Sequence, residues 1–215
     1  MDKDKIDKKD HILDVAERVF ADLGFDGAST RAISGEAGVN MAMLNYYFGS
    51  KEGLFLAIFE RKIASFRTLL QNIGNDDTIS SWDKLEKCID NYVDRIIVNN
   101  CFQKLINREI TMTKRWDLTD KIVGILMVNV NEIKKIIEEG VSTAAFAKDI
   151  DIPLVVATIF GTKNFIVSQL QLSSLILAHD IRDEKFMEED LKPRVKTYMK
   201  RLLKAYLVNE HDNSK

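Results

Sequence analysis

The side chains that carry covalent or metal chemistry are scattered along this 215-residue chain. His11, His179 and His211 stand far apart, and no pair has metal-ligand spacing. Cys88 and Cys101 fall outside any CxxC pattern and read as reduced core thiols. GxGxxG, GKS/T and GxSxG do not occur. Isolated carboxylates such as Asp90 and Glu109 suit helix-surface or interhelical ion pairs better than acid–base work. No cofactor, no metal and no enzyme activity is expected. What does cluster is the chemistry of non-covalent recognition. Between Ser29 and Lys51 lie the hydroxyls of Ser29 and Thr30, the guanidinium of Arg31, the series Asn40, Met41, Ala42, Met43 and Asn45, the phenols of Tyr46 and Tyr47, and an ammonium. Hydroxyls at a helix start and a lysine suit phosphate. A guanidinium fits a guanine edge or a phosphate, an asparagine fits adenine, and methionines suit thymine methyls.

The elements that position these groups follow from periodicity and punctuation. Ile12, Val15, Ala16, Val19, Phe20 and Leu23 keep helical spacing and end at Gly24. Ser29 suits the N-cap of a second helix through Ala37, stopped by Gly38. Asn40 suits the cap of a third, with Leu44 and Phe48 inward and Gly49 as its stop. Ser50 caps a fourth that reaches Gly74. Two short helices around a glycine-containing turn form a helix-turn-helix, whose second helix is short so that its side chains enter a groove.

The same reading continues to the C-terminus. A fifth helix is predicted from Trp82 to Ile97 and a sixth from Phe102 to Ile110. A seventh runs from Leu118 to Glu139, an eighth from Ile152 to Ala178 and a ninth from Glu188 to Val208. No segment keeps a period of two, so the fold class is all-α, with about nine helices. Residues 1–9 read as a flexible polyampholyte arm, 10–50 as the helix-turn-helix domain, and 51–215 as a second, helical domain. The Ile152–Ala178 stretch is interrupted by Lys163, Asn164, Gln169 and Gln171, which argues for a buried helix rather than a membrane span. A charged N-terminus without an apolar core points to a cytoplasmic protein.

The span from Ile12 to Lys62 resembles the DNA-binding region of the tetracycline-repressor (TetR) family of transcriptional regulators. The likeness rests on Phe20, Gly24-Phe25, Ser29-Thr30, Ile33, Ala37-Gly38-Val39, Tyr47-Phe48 and Ser50-Lys51-Glu52-Gly53-Leu54 in that order and spacing. It implies an N-terminal three-helix DNA-binding domain and a C-terminal ligand-binding and dimerisation domain. It also implies a homodimer on a palindromic operator in double-stranded DNA, released by a small-molecule effector. By that resemblance Ser29, Thr30 and Lys51 grip phosphates, and Tyr47, with Tyr46 beside it, packs on the backbone. Asn40, Met41, Ala42, Met43 and Asn45 then face the bases, and Arg31 is placed to reach a guanine edge or a phosphate. Residues 41–43 depart from the small, polar or basic residues usual there and Asn45 from the frequent aromatic, and they suggest an A·T-leaning site. Residues 1–62 hold nine Lys/Arg against eleven Asp/Glu, so phosphate attraction must come from a few placed groups. That acidic balance also supports an alternative, a helical small-molecule sensor or carrier that has lost specific DNA binding.

Under the same resemblance the eighth helix, apolar almost all round, is buried on two sides, one of them a second protomer. Val156, Phe160, Gly161, Leu170, Tyr198 and Leu202 are the expected interface. Candidates for the effector pocket are the aromatic and soft residues Phe66, Trp82, Tyr92, Phe102, Ile106, Met112, Trp116, Met127 and Phe160, with Asn131 and Asn164 as orienting groups.

Overall fold

Polar caps and left-handed glycines cut the first third of the chain into four helices. The computed structural model describes residues 2–96, 101–111 and 116–208, with side chains from residue 8 onward except at 107, 110, 111 and 116. These four are α1 (Asp2–Gly27), α2 (Thr30–Glu36), α3 (Met41–Phe48) and α4 (Lys51–Gly74). The residues expected as an arm are helical from Asp2 onward. Gly24, with φ +74°, breaks α1 where a stop is expected, and one further turn follows.

Each cap does what its residue type predicts. The Ser29 hydroxyl accepts from the Ala32 N–H at 3.1 Å and the Asn40 carboxamide oxygen from the Met43 N–H at 2.8 Å. Ser50 Oγ likewise accepts from the Gly53 N–H at 2.9 Å. Helix α2 ends in a Schellman turn. Gly38 adopts φ +64° and donates to the Gly35 carbonyl, while the Val39 N–H reaches back to Ser34 at 2.9 Å.

The remaining helices are α5 (Ser81–Asp94), α6 (Cys101–Thr111), α7 (Trp116–Ser142), α8 (Ile152–Ser168), α9 (Leu170–Leu177), α10 (Glu184–Phe186) and α11 (Lys192–Leu207). A π turn, Met187–Leu191, joins the last two. Every regular element among the described residues is helical, in keeping with the all-α expectation. The predicted eighth helix, however, is two. Gln169 takes φ −115° and ψ 57°, and α8 and α9 lie at 99° to one another. Ser173 Oγ donates back to the Phe165 carbonyl across this break. The predicted ninth helix starts earlier, at Glu184, because Asp183 caps it through the Lys185 and Phe186 amides. Among the described residues no single helix is long and apolar enough to cross a membrane.

The chain forms two compact units, Met1–Ser65 with Asn100–Met127, and Phe66–Asn99 with Val128–Lys215. The division differs from the expected one after residue 50. The front of α4, α6 and the start of α7 join the N-terminal helices because their apolar faces enter the same core. In that core Phe20, Ile33, Leu44, Phe55, Ile58 and Phe59 are fully buried with Leu105 and Ile122. Each such side chain contributes about 1.5–3 kcal/mol by leaving water. The second unit is built on Leu70, Leu85, Ile89, Ile133, Ile137, Ile159 and Met199. Its one deeply buried lysine within α5, Lys84, is paired with Glu139 at 2.8 Å and also donates to the Gly74 carbonyl at 2.8 Å.

Candidate nucleic-acid interface

Helix α3 is held from one side only. Leu44 is fully buried, whereas Asn40, Ala42, Asn45 and Tyr46 face outward, Tyr46 with 75% of its surface exposed. Met41 is partly turned back. Its sulfur lies 3.3 Å from the Ser34 hydroxyl, which also donates to the Arg31 carbonyl. Met43 is half-buried. The outward face therefore offers one carboxamide, one phenol and small apolar surface, and Asn40 spends its oxygen on the helix cap. Tyr46 and Tyr47 stack edge-on at 5.3 Å, which orients both rings at the C-terminal end of the helix.

Around α3 stand the groups expected on phosphates. Ser29 and Arg31 are exposed at the start of α2, and Thr30 is half-buried between them. Lys51, at the first position of α4, is half-buried; its ammonium lies 4.7 Å from the centre of the Phe25 ring and 3.5 Å from the Asp26 carbonyl oxygen. Partial burial lowers its pKa from the ordinary lysine value. Held against the α1–α2 corner, it is a pre-placed charge rather than a freely swinging one. Lys9 lies 5.9 Å from the centre of the Phe48 ring, so one basic residue of the expected arm reaches the end of α3.

The close join between α3 and α4 depends on Gly53. A Cβ there would fall 2.1 Å from the Phe48 carbonyl oxygen. Only a glycine lets α4 start so near the last turn of α3, which fixes the pitch of the exposed helix.

Two residues of this unit were not expected to shape the site, Arg108 and Glu109. Glu109, expected in an ion pair, is buried, and its carboxylate accepts from the Phe25 N–H at 3.5 Å. Arg108 donates to the carbonyls of Asp22 and Leu23 at 3.4 and 3.2 Å. Helix α6 thus grips the end of α1 and the corner leading to α2. A basic-acidic pair late in a short amphipathic helix was the available signal. Asp90 makes the expected interhelical pair, with Lys200 at 3.0 Å.

The pocket candidates fall into separate groups. Phe102 and Ile106 pack into the first unit's core, with Phe102 5.2 Å from Phe59. Met127 is 41% exposed, and Asn131 and Asn164 are also exposed. Trp82 packs edge-on to Phe146. Met112 and the Trp116 side chain lie outside the described residues. Phe66, Tyr92 and Phe160 do meet, in the second unit, with Tyr92 between the other two at 5.9 and 4.8 Å. Of the interface candidates, Gly161, Tyr198 and Leu202 are exposed, Phe160 and Leu170 are half-buried, and Val156 belongs to the protomer's own core.

A short exposed helix, seated on a capped partner and flanked by hydroxyls and cations, is the geometry of a helix-turn-helix DNA reader. Comparison with known proteins agrees. Residues 12–58 match the family described as bacterial regulatory proteins, tetR family, and residues 82–196 match the tetracyclin repressor-like C-terminal domain. The chain is 31% identical over 186 residues to the HTH-type transcriptional repressor NicS of Pseudomonas putida, covering 82% of this chain and 84% of that protein. It is 25% identical to the fatty acid metabolism regulator protein of Bacillus subtilis, covering 74% and 81% of the two. The fold is similar to the crystal structure of FadR from Bacillus subtilis in complex with stearoyl-CoA, with a TM-score of 0.67 and 21% identity over 88% of this chain and 96% of that one. The chain belongs to the tetR family of bacterial regulatory proteins. It is a DNA-binding transcriptional regulator and not an enzyme.

Proposed function

We propose that the protein is a cytoplasmic repressor that binds a palindromic operator as a homodimer and leaves it when a small-molecule effector occupies the C-terminal unit. The observation that carries this reading is the exposed face of α3, with Asn45 and Tyr46 outward and Tyr47 and Lys51 beside them. Two-fold symmetry would set the two reading helices about 34 Å apart, one turn of DNA.

The dimer is supported by apolar side chains that stay exposed among the described residues. Leu154, Phe165, Leu172, Leu175, Ile176, Tyr198, Leu202 and Tyr206 on α8, α9 and α11 are each between 42% and 79% exposed. Large apolar side chains exposed in this number on three helices are costly in water and favour a partner. The exposed Ala157 and Gly161 on α8 allow a second helix to approach closely.

Release is a population shift. An effector that binds better to a state with the wrong spacing lowers DNA affinity by the ratio of its two affinities. Helix α6 carries the switch together with α4, because Arg108 and Glu109 hold the corner from which α2 starts. Mobility-shift and footprinting assays on the promoter beside the gene test the reading. A protected palindrome is expected, and equal affinity for random duplex at physiological salt contradicts it.

A further inference from the structure

We infer that Lys163, with Arg95, forms an anion-binding subsite beside the Tyr92 and Phe160 rings, and that the effector is an organic acid with an apolar or aromatic body. The inference rests on the effector-release reading above and adds the chemistry of the ligand.

Lys163 lies on α8, in the middle of the most apolar helix of the chain. Its ammonium sits 4.6 Å from the centre of the Tyr92 ring, and Tyr92 packs edge-on against Phe160 at 4.8 Å. Arg95, the C-cap of α5, lies with its guanidinium carbon 4.4 Å from the centre of the Phe66 ring. Phe66 in turn stacks on Tyr92. Lys192, at the start of α11, is buried and spends its charge on Glu188.

The carboxylates close to this cluster are engaged elsewhere. Asp94, next to Arg95 in sequence, pairs with Lys196 at 2.6 Å. Glu188 pairs with Lys192, which also donates to the Asp94 carbonyl at 3.1 Å. Arg95 donates to its own helix, at the Asn91 carbonyl. Among the described residues, neither Lys163 nor Arg95 has a carboxylate within ion-pair distance. Burial and the two neighbouring cations bring the Lys163 pKa down to about 8.

A half-buried ammonium without a counter-charge costs stability that a leucine or methionine in the same helix would not. Ring faces offset part of that cost through cation–π attraction, but they do not neutralise the charge. A carboxylate or phosphate placed between Lys163 and Arg95 would neutralise both and would gain charge-assisted hydrogen bonds in a site of low polarity. The rings of Phe66, Tyr92 and Phe160 supply apolar surface for the rest of the molecule. Apolar walls with a few convergent charged groups are the usual make-up of a small-molecule site.

Two fluorescent probes with nearly the same aromatic body separate the charge from the surface. 8-Anilinonaphthalene-1-sulfonate is an anion, and N-phenyl-1-naphthylamine is its uncharged counterpart. Full-length protein is titrated with each, as wild type, Lys163→Gln and Arg95→Gln. The expected result is roughly a ten- to hundredfold loss of the anionic probe's affinity in Lys163→Gln, the scale of one hydrogen bond to a charged group. The neutral probe should change less than twofold. Displacement of the anionic probe by decanoate or decyl phosphate, but not by decanol, then tells which anion the site prefers. Equal affinity of the sulfonate for wild type and Lys163→Gln overturns the subsite, as does displacement by decanol as readily as by the two acids. Operator binding is measured on the same preparations without probe. Lys163→Gln should leave it within about twofold, so a failure to bind operator at all counts against the repressor reading and not against the anion site.

Discussion

The Arg108 guanidinium closes over Gly24: a Cβ on Gly24 would lie 2.5 Å from the Arg108 Cζ. Gly24 holds φ +74°, and its neighbours Asp22 and Leu23 give their carbonyls to the same guanidinium. Arg108 is therefore a C-cap for α1 supplied by another helix, and it fits only because residue 24 has no side chain. Gly24→Ala should cost about 1–3 kcal/mol from the backbone alone, because φ +74° with ψ 173° is a conformation that only glycine adopts readily. Displacement of Arg108 should add to that. Thermal unfolding of the two proteins checks it, and an unchanged Tm would show that the grip contributes nothing.

Gly53 predicts a loss of function rather than of fold. The atom nearest to a new Cβ is the Phe48 carbonyl oxygen, which belongs to the backbone and cannot swing away. Gly53→Ala should therefore tilt α3 and reduce operator affinity at least about tenfold, while helicity by circular dichroism stays near wild type. The stability cost should fall in the overpacking range of about 1–3 kcal/mol.

The apolar face of α9 and α11 predicts the oligomeric state. Leu175 is 79% exposed and Leu202 42% exposed, so a charge at either disturbs nothing inside the protomer. Leu175→Asp with Leu202→Asp should give a folded monomer by sedimentation, with operator binding lost. A dimer that survives both changes places the interface elsewhere.

Lys163 predicts a pH dependence. Its pKa falls from 10.5 in the unfolded chain to about 8 in the folded one. Between those values the unfolded state binds the extra proton, so this group makes stability rise with pH across that window. Below about pH 8 the folded protein bears the full cost of the buried charge. Other groups titrate in the same range, so the informative quantity is the difference from Lys163→Met. That variant should be the more stable at pH 7, with the gap narrowing toward pH 10. A constant gap contradicts the account.

Local sequence carried most of the helix-turn-helix. Ser29, Asn40 and Ser50 cap where their side chains predict, and Gly38 supplies the left-handed turn. The break at Gln169 was not legible because no proline or glycine marks it, and a lone glutamine reads as a polar interruption within a continuing helix. Membership of α6 in the N-terminal unit was hidden for another reason. It rests on Arg108 and Glu109 meeting residues more than eighty positions earlier, and local pattern carries no such pairing. Lys163 was visible as an interruption of an apolar helix, but its neighbours Arg95 and Lys192 come from two other helices.

The central claim is that α3 and its flanking groups read DNA. Operator binding by the dimer, compared between wild type and Tyr47→Ala with Lys51→Ala across a salt series, tests it most directly. The account predicts that the double variant keeps its helicity and dimer, loses specific binding, and shows a log–log salt slope smaller by about 1 per protomer for the missing lysine. Wild-type affinity and slope in the double variant would contradict it.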